Sequence, residues 1–296
     1  MITLGDFKFV VATTPELLNG VFRLRYQVYV DEYGFEHAGD HPDGMEKDEW
    51  DPCSIHMAAL NSEGDVIGTI RLVLNSSAGL PTLQAVAPFY FDQNPHSQHI
   101  GEVSRLAVAR SFRRRVEDGF YGVQALASPK GSIAFHRAED GDFPSQERRR
   151  RFAVVLGLFK IMYHVSKRIN LKDWYMVSEK RLWYLLKRYH ILFNPIGPEM
   201  EYHGIRIPYI GHIKDIESHM MKASASLAES FQEGLDATDG AASVAPEESS
   251  VKKTDVNPVP PVSSVFSETE AEQKARAAAQ AVAEIVWPHR IPRRRS

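Results

Sequence analysis

Three short stretches combine residue types that apolar packing does not call for. The first is Arg25-Tyr-Gln-Val-Tyr29, followed by Phe35. Arg25 and Tyr29 stand four apart and so share a helical face. Read alone, this is an amphipathic helix with a snorkelling arginine. The second is Glu46-Lys-Asp48-Glu-Trp-Asp51. It lacks the ligand spacing and turn glycine of a calcium loop. Its carboxylates could instead hold an arginine such as Arg25 or Arg105 by charge-assisted hydrogen bonds. The third is Gly101-Glu-Val-Ser-Arg-Leu-Ala-Val108. Strand alternation puts Glu102, Ser104, Leu106 and Val108 on one face and Val103, Arg105 and Ala107 on the other. Buried charges are costly unless paired, yet Glu102 and Arg105 sit mid-strand, and Arg71 repeats the anomaly within Ile67 to Leu74. Neighbouring strands that each carry an arginine indicate a polar cleft. The alternative is a buried ion-pair network with no catalytic part.

The elements that must carry these residues read as one α/β domain over residues 1–215. Phe7 to Ala12 is a strand. Thr14 to Tyr33 is a helix with Thr13 or Thr14 as N-cap. Ile55 to Leu60 and Val66 to Leu74 flank Asn-Ser-Glu-Gly, a hairpin signal. Ile100 to Ala109 is a further strand, and Phe152 to Ile169 is apolar nearly all round, hence a buried helix. Trp174 to Val177 reads as strand and Lys180 to Tyr189 as helix. Phe193 to Ile196 and Ile205 to Ile213 complete the strands. Residues 116–146 show no period and read as an irregular insertion. Residues 216–234 extend the domain as helix. Residues 235–266 have four prolines and one aromatic and read as a disordered linker. Residues 267–296 form a short helix and a tail with four arginines.

Composition sets outer limits. The 296 residues carry 35 Lys plus Arg against 38 Asp plus Glu, a net charge of −3. That balance does not suit a binder of polyanions driven by bulk charge. A single cysteine excludes a disulfide framework and a cysteine-cluster zinc site, and no metal is expected. No run is long and apolar enough for a transmembrane helix, and the N-terminal residues do not read as a signal peptide. A cytoplasmic protein is the expectation.

The order Arg25-x3-Tyr29, Phe35, Asp48, Asp51, Arg71 and Glu102-x2-Arg105 resembles the acyl-homoserine-lactone (autoinducer) synthases. It is more similar still to the N-acyl amino acid synthases and the PEP-CTERM/exosortase-associated acyltransferases. That group is marked here by the strand Glu102 to Val108 with Arg113 to Arg115 after it. It is marked again by Ile196-Gly-Pro-x2-Glu-Tyr-His-Gly204 with Pro208-Tyr209. The resemblance spans residues 7–213 and implies a GNAT-like acyltransferase fold, a mixed central sheet flanked by helices. It implies acyl transfer from acyl carrier protein, with the acyl-phosphopantetheine as donor and no resident cofactor. Coenzyme A is the poorer donor, because the strand runs into Ala109-Arg-Ser-Phe-Arg-Arg-Arg115 without a glycine that lets the backbone cradle a pyrophosphate.

Carried onto these positions, the resemblance assigns catalytic roles to Glu102, Arg105, Arg71 and Ser104. Glu102 is the candidate base, acting through water on an amine. Arg105 and Arg71 orient it or take the acceptor's carboxylate by a fork. Ser104 touches the pantetheine arm or protonates the leaving thiolate. Arg25, Tyr29, Phe35, Asp48 and Asp51 shape the acceptor side. Backbone N–H groups of Arg71 to Val73 would supply an oxyanion hole if a bulge frees them. Cys53 lies near His56 in sequence, but no second base is visible, so direct transfer is expected. Two basic runs, Arg113-Arg114-Arg115 and Arg148-Arg149-Arg150-Arg151, suit an acidic carrier protein, whose approach complementary charge would speed. The second run lies at a helix start, where positive charge opposes the dipole.

The expected reaction joins a long-chain acyl group to the α-amine of an amino acid. The alternative enzyme is an acyl-homoserine-lactone synthase using S-adenosylmethionine. The alternative of another class is a binding module for an anionic partner. No nucleic-acid-binding motif supports that last reading, and peripheral membrane contact stays open because the product would be lipid-like.

Overall fold

The computed structural model describes residues 1–76, 79–81, 99–112 and 145–235, and the side chains of residues 145–152 are excepted. Of the expected insertion over 116–146, residues 116–144 lie outside these residues, as do most of the linker, the terminal helix and tail, and Arg113, Arg114 and Arg115. The insertion's last two residues, Ser145 and Gln146, instead open a helix, which starts ahead of the expected Phe152.

The strands are β1 (Ile2–Leu4), β2 (Phe7–Val11), β3 (Ser54–Leu60), β4 (Val66–Leu74), β5 (Ile100–Val108), β6 (Asp173–Ser178), β7 (Asn194–Pro195), β8 (Met200–Glu201) and β9 (Ile205–His212). They form one sheet in the order β1-β2-β3-β4-β5-β6-β9-β7, with β8 paired to β9. Among the described residues β5 and β6 are the one parallel pair. A parallel neighbour needs a crossover, and the helix α2 (Ser145–Arg168) lies within it. The other helices are α1 (Pro15–Tyr26), α3 (Lys180–Arg188), α4 (Ile213–Ala223) and α5 (Ala225–Gln232).

Alternation along the strands decides what each face buries. Phe9, Met57, Ile70 and Leu72 turn to the face covered by α2, where Val154, Leu158, Phe159 and Met162 meet them. Gly157 makes this approach close, since a Cβ there would fall 2.1 Å from Cζ of Phe9. Val10 and Ala58 turn the other way, onto Val21 of α1. Ala107 meets Leu24 and Val28 on that same side.

Three expectations need correction. The helix foreseen over Thr14 to Tyr33 starts where expected, with the Thr14 hydroxyl accepting from the Leu17 N–H. It changes at Gln27 into a π-helical turn, Gln27–Glu32. Such turns take an extra residue and re-aim the side chains beyond them. The strand foreseen over Phe193 to Ile196 shrinks to Asn194–Pro195, as fits a proline with no N–H to donate. The third correction concerns β5. From Thr69↔Ala107 to Arg71↔Ser104, β4 advances two residues and β5 three. The extra residue is Arg105, whose φ is 49°, so β5 carries a bulge there. Leu106 and Val108 therefore join Val103 in the core under α2. Arg105 turns to the side of Ser104 and Arg71. The bulge does not free Arg71 to Val73, which pair with β3 on one edge and β5 on the other. The oxyanion hole foreseen there is not formed by this backbone.

The sheet also divides. β5 and β6 pair from Ile100↔Asp173 to Val103↔Met176 and no further. Beyond that point Val177 and Ser178 stay with Pro208 and Ile207 of β9. Among the described residues β5 continues to Val108 with β4 alone. The bulge and the split begin at the same place.

Candidate active site

The three arginines singled out in the sequence converge on the α1 face of the sheet, beside the split. Arg25 leaves the last turn of α1 and is wholly buried. Its Nη1 and Nη2 donate to Oδ1 and Oδ2 of Asp51 at 2.6 and 3.2 Å, and its Nε donates to Glu46 Oε2. Arg71 of β4 donates through Nη1 to Asp48 Oδ1 and to Asp51 Oδ1, the latter at 2.7 Å. Its Nε donates to the Ser104 hydroxyl at 3.0 Å. Arg105 donates through Nε to Glu46 Oε1 at 3.1 Å and through Nη2 to Glu36 Oε1 at 3.0 Å. Its Nη2 also lies 3.0 Å from Asp48 Oδ2.

Local chemistry holds the carboxylates. The Glu46 N–H donates to the Phe22 carbonyl of α1 at 3.1 Å, tying the loop to the helix that carries Arg25. Asp48 accepts from the Trp50 N–H, and Asp51 accepts from the Asp48 N–H, at 2.9 and 2.8 Å. The first is an Asx turn, and in the second the carboxylate reaches back three residues, so each is bonded to nearby backbone.

Electrostatics favour the charged forms of Asp48, Asp51, Arg25 and Arg105. Burial pushes Asp51 upward, but Arg25 and Arg71 overcome it and hold the carboxyl well below its usual range. Asp48 is lowered in the same way, burial being outweighed first by Arg71. Burial alone would lower Arg105, yet Glu46 and Asp48 raise it. His56 of β3 lies 3.6 Å from Asp51 and is held down to about 4, chiefly by burial. It is neutral at physiological pH. By formal charge, three guanidinium groups face the four carboxylates of Glu36, Glu46, Asp48 and Asp51, leaving one negative charge over.

Access grades across the cluster. The Arg25 and Glu46 side chains are 0% and 1% exposed, against 17% for Arg105, 15% for Asp48 and 26% for Glu36. The outer three are reachable from solvent, while Arg25 and Glu46 hold them from beneath.

Around this lip stand Tyr29 and Phe35. The Tyr29 hydroxyl donates to the Leu106 carbonyl at 2.9 Å, and burial pushes its pKa up to about 12, so it stays a donor. The Arg105 guanidinium lies over the Tyr29 ring, 5.5 Å from its centroid. Phe35 stacks on Tyr33 at 5.3 Å. Glu102 lies on the same sheet face, paired across to Val73 on β4 and Tyr175 on β6, and is buried. Cys53 is partly exposed in the 3-10 turn Asp51–Cys53.

Sequence reasoning therefore brought together Arg25, Tyr29, Phe35, Asp48, Asp51, Arg71, Ser104 and Arg105, with Glu102 along the same strand. It gave Glu46 no role of its own, although the acidic run was expected to hold Arg25 or Arg105 and Glu46 holds both, and it passed over Glu36. Glu46 stood within a run already singled out, and Glu36 directly follows Phe35. The run Arg148 to Arg151 lies in the first part of α2. Among the described residues no three His, Cys, Asp or Glu side chains are grouped to hold a metal, and no helix is long and apolar enough to cross a membrane.

Residues 24–118 match the sequence model of the acetyltransferase (GNAT) domain. That span runs from α1 past β5 and contains every arginine and carboxylate of the cluster. No curated protein matches the chain. Among solved structures the chain is similar to the AHL synthase LasI, at 17% identity over 70% of this chain and 90% of that one, with a TM-score of 0.48. It is similar to FeeM, an N-acyl amino acid synthase from uncultured soil microbes, at 13% identity over 74% and 96%, with a TM-score of 0.48. It is also similar to BjaI, a CoA-dependent acyl-homoserine lactone synthase, at 16% identity over 78% and 89%, with a TM-score of 0.49. The central mixed sheet flanked by helices is GNAT-like, and with the domain match it defines the class as acyl-transferring enzymes.

Proposed function

We propose that the protein moves a long-chain acyl group from the phosphopantetheine of acyl carrier protein to the α-amine of an amino acid. One observation carries this reading. The strand split after Val103 opens beside a cluster that presents both carboxylates and a guanidinium at its lip. An extended arm with amide groups can lie in such a split, because among the described residues β6 stops pairing with β5 at Val103. Its thioester would then reach the level of Ser104 and Arg105. The excess negative charge of the cluster favours an acceptor that arrives as an ammonium ion, while Arg105 can still take its carboxylate.

The chemistry needs a neutral amine. A free α-amino group has a pKa of about 7.7–8.0, so one proton must leave in place, and Glu102 is the residue proposed to receive it through water. The amine nitrogen attacks the thioester carbonyl carbon, the carbonyl electrons pass to oxygen, and the C–S bond breaks as they return. The departing thiolate takes a proton, and Ser104, with Arg71 bonded to its hydroxyl, is the group to relay it. The backbone N–H groups at the bulge, in place of those of Arg71 to Val73, are the candidates to stabilise the oxyanion. The carrier protein is preferred to coenzyme A as donor for the absence of glycine after β5, and Arg113 to Arg115 and Arg148 to Arg151 are the residues proposed to meet it.

Mass spectrometry of organic extracts from bacterial cells expressing the chain tests the reading. A new series of N-acyl amino acids supports it. Acyl lactones whose formation consumes S-adenosylmethionine would replace it with the autoinducer-synthase reading. Neither series, from soluble folded protein, contradicts both and favours a binding role.

A further inference from the structure

The segment Tyr33 to Glu36 is held from both sides of the strand split. On the β5 side Arg105 donates to Glu36. The Phe35 and Glu36 N–H groups both donate to the Tyr29 carbonyl, at 2.7 and 3.3 Å. Tyr29 is in turn bonded to Leu106 of β5. On the β9 side the Arg206 guanidinium lies over the Phe35 ring, 5.8 Å from its centroid. His203 of the β8–β9 turn packs on the same ring at 5.3 Å. Arg206 is itself fixed, because its Nη2 lies 3.1 Å from Oε1 of Glu179. That glutamate is the N-cap of α3. The turn is set by residues of positive φ, His203 at 52° and Gly204 at 88°, and the Gly204 N–H donates to Glu201 at 3.0 Å.

We infer that Arg206 is a positioning residue, which holds Phe35 across the split as the wall between acyl arm and acceptor. The inference rests on the acyltransfer reading for its role in specificity, but not for the contact itself. Two arginines grip one dipeptide from opposite lips, Arg105 by the Glu36 carboxylate and Arg206 by the Phe35 ring. A cation–π contact is tolerant of sliding, unlike a bidentate fork. Arg206 therefore keeps the ring in place while the two lips adjust to a bound arm. The stretch Ile196 to Gly204, otherwise without a task, supplies the turn that brings His203 to the same ring.

The test pairs two measurements on Arg206→Met and Arg206→Lys in the full chain. Amide hydrogen exchange is read first, with no substrate present. The inference expects Arg206→Met to lose protection over residues 33–36 while β2, β3 and α2 keep theirs, and Arg206→Lys to retain most of it. Unchanged protection at 33–36 overturns the inference whether or not the chain transfers acyl groups. Where the unaltered chain does transfer them, KM for the amino acid should rise about three- to tenfold in Arg206→Met, the scale of one cation–π contact. KM for the acyl donor should stay put, and Arg206→Lys should recover the loss. Equal changes for both substrates, or none, contradict it. Failure of the unaltered chain to make product counts against the proposed reaction and leaves hydrogen exchange to decide this inference.

Discussion

Arg105 donates to the same carboxylate, that of Glu46, which Arg25 grips from the interior. One glutamate thus couples the bulged strand at the lip of the site to the helix beneath it. Glu46→Gln leaves two guanidinium groups facing a neutral amide. Breaking a buried ion pair costs about 3–5 kcal/mol, so the urea midpoint should fall steeply. Glu36→Gln, at the exposed end of the same network, should cost at most about 1 kcal/mol.

Glu102→Gln keeps size and shape, so the fold should persist. Removing a general base lowers turnover by roughly 10²- to 10⁴-fold, and KM for the acyl donor should change little. Steady-state kinetics check this, with circular dichroism to confirm the fold. A variant with unaltered kcat would remove Glu102 from the mechanism.

Stability should depend on pH through two histidines. Burial holds His56 and His164 down to about 4, and His164 Nε2 is 2.7 Å from the Phe231 carbonyl. An unfolded chain binds these protons near pH 6.5. The stabilisation is therefore complete above about pH 6.5 and is lost as pH falls toward 4, on the order of 2–3 kcal/mol for each histidine. Asp51, held low by Arg25 and Arg71, adds a loss below about pH 4. Urea midpoints from pH 8 to 4 should trace this decline, and His56→Gln should flatten its upper part.

Gly157→Ala tests the packing under the site. Alanine favours a helix by about 1 kcal/mol over glycine. Here its methyl would meet the Phe9 ring, and overpacking costs about 1–3 kcal/mol. The thermal midpoint should therefore drop despite the gain in propensity.

The strands and the buried helix were legible because period and turn residues are local. β3, β4 and β6 follow from their apolar patterns and the Asn-Ser-Glu-Gly turn. The faces of β5 were not legible, since a single inserted residue at Arg105 reverses the parity of Leu106 and Val108, and no composition signal marks it. The arginines stood out as charges within apolar strands. The acidic run from Glu46 could be read as holding Arg25 or Arg105, but which carboxylate meets which arginine could not, because the partners are remote in the chain: Glu46 meets Arg105 59 residues away. Glu36 did not stand out, because loop carboxylates are ordinarily solvated. The split between β5 and β6 depends on where two strands separated by a crossover cease to pair, which neither strand's own residues declare.

The proposed reaction acylates an amine at the lip of this split from a carrier-bound thioester. The most direct measurement incubates the purified chain with a long-chain acyl carrier protein and the common amino acids, and weighs the products by mass spectrometry. An N-acyl amino acid should form one-for-one with unacylated carrier protein, and should nearly disappear with Glu102→Gln. Carrier protein that stays acylated in the presence of folded chain, or an acyl product that appears only with S-adenosylmethionine, would contradict it.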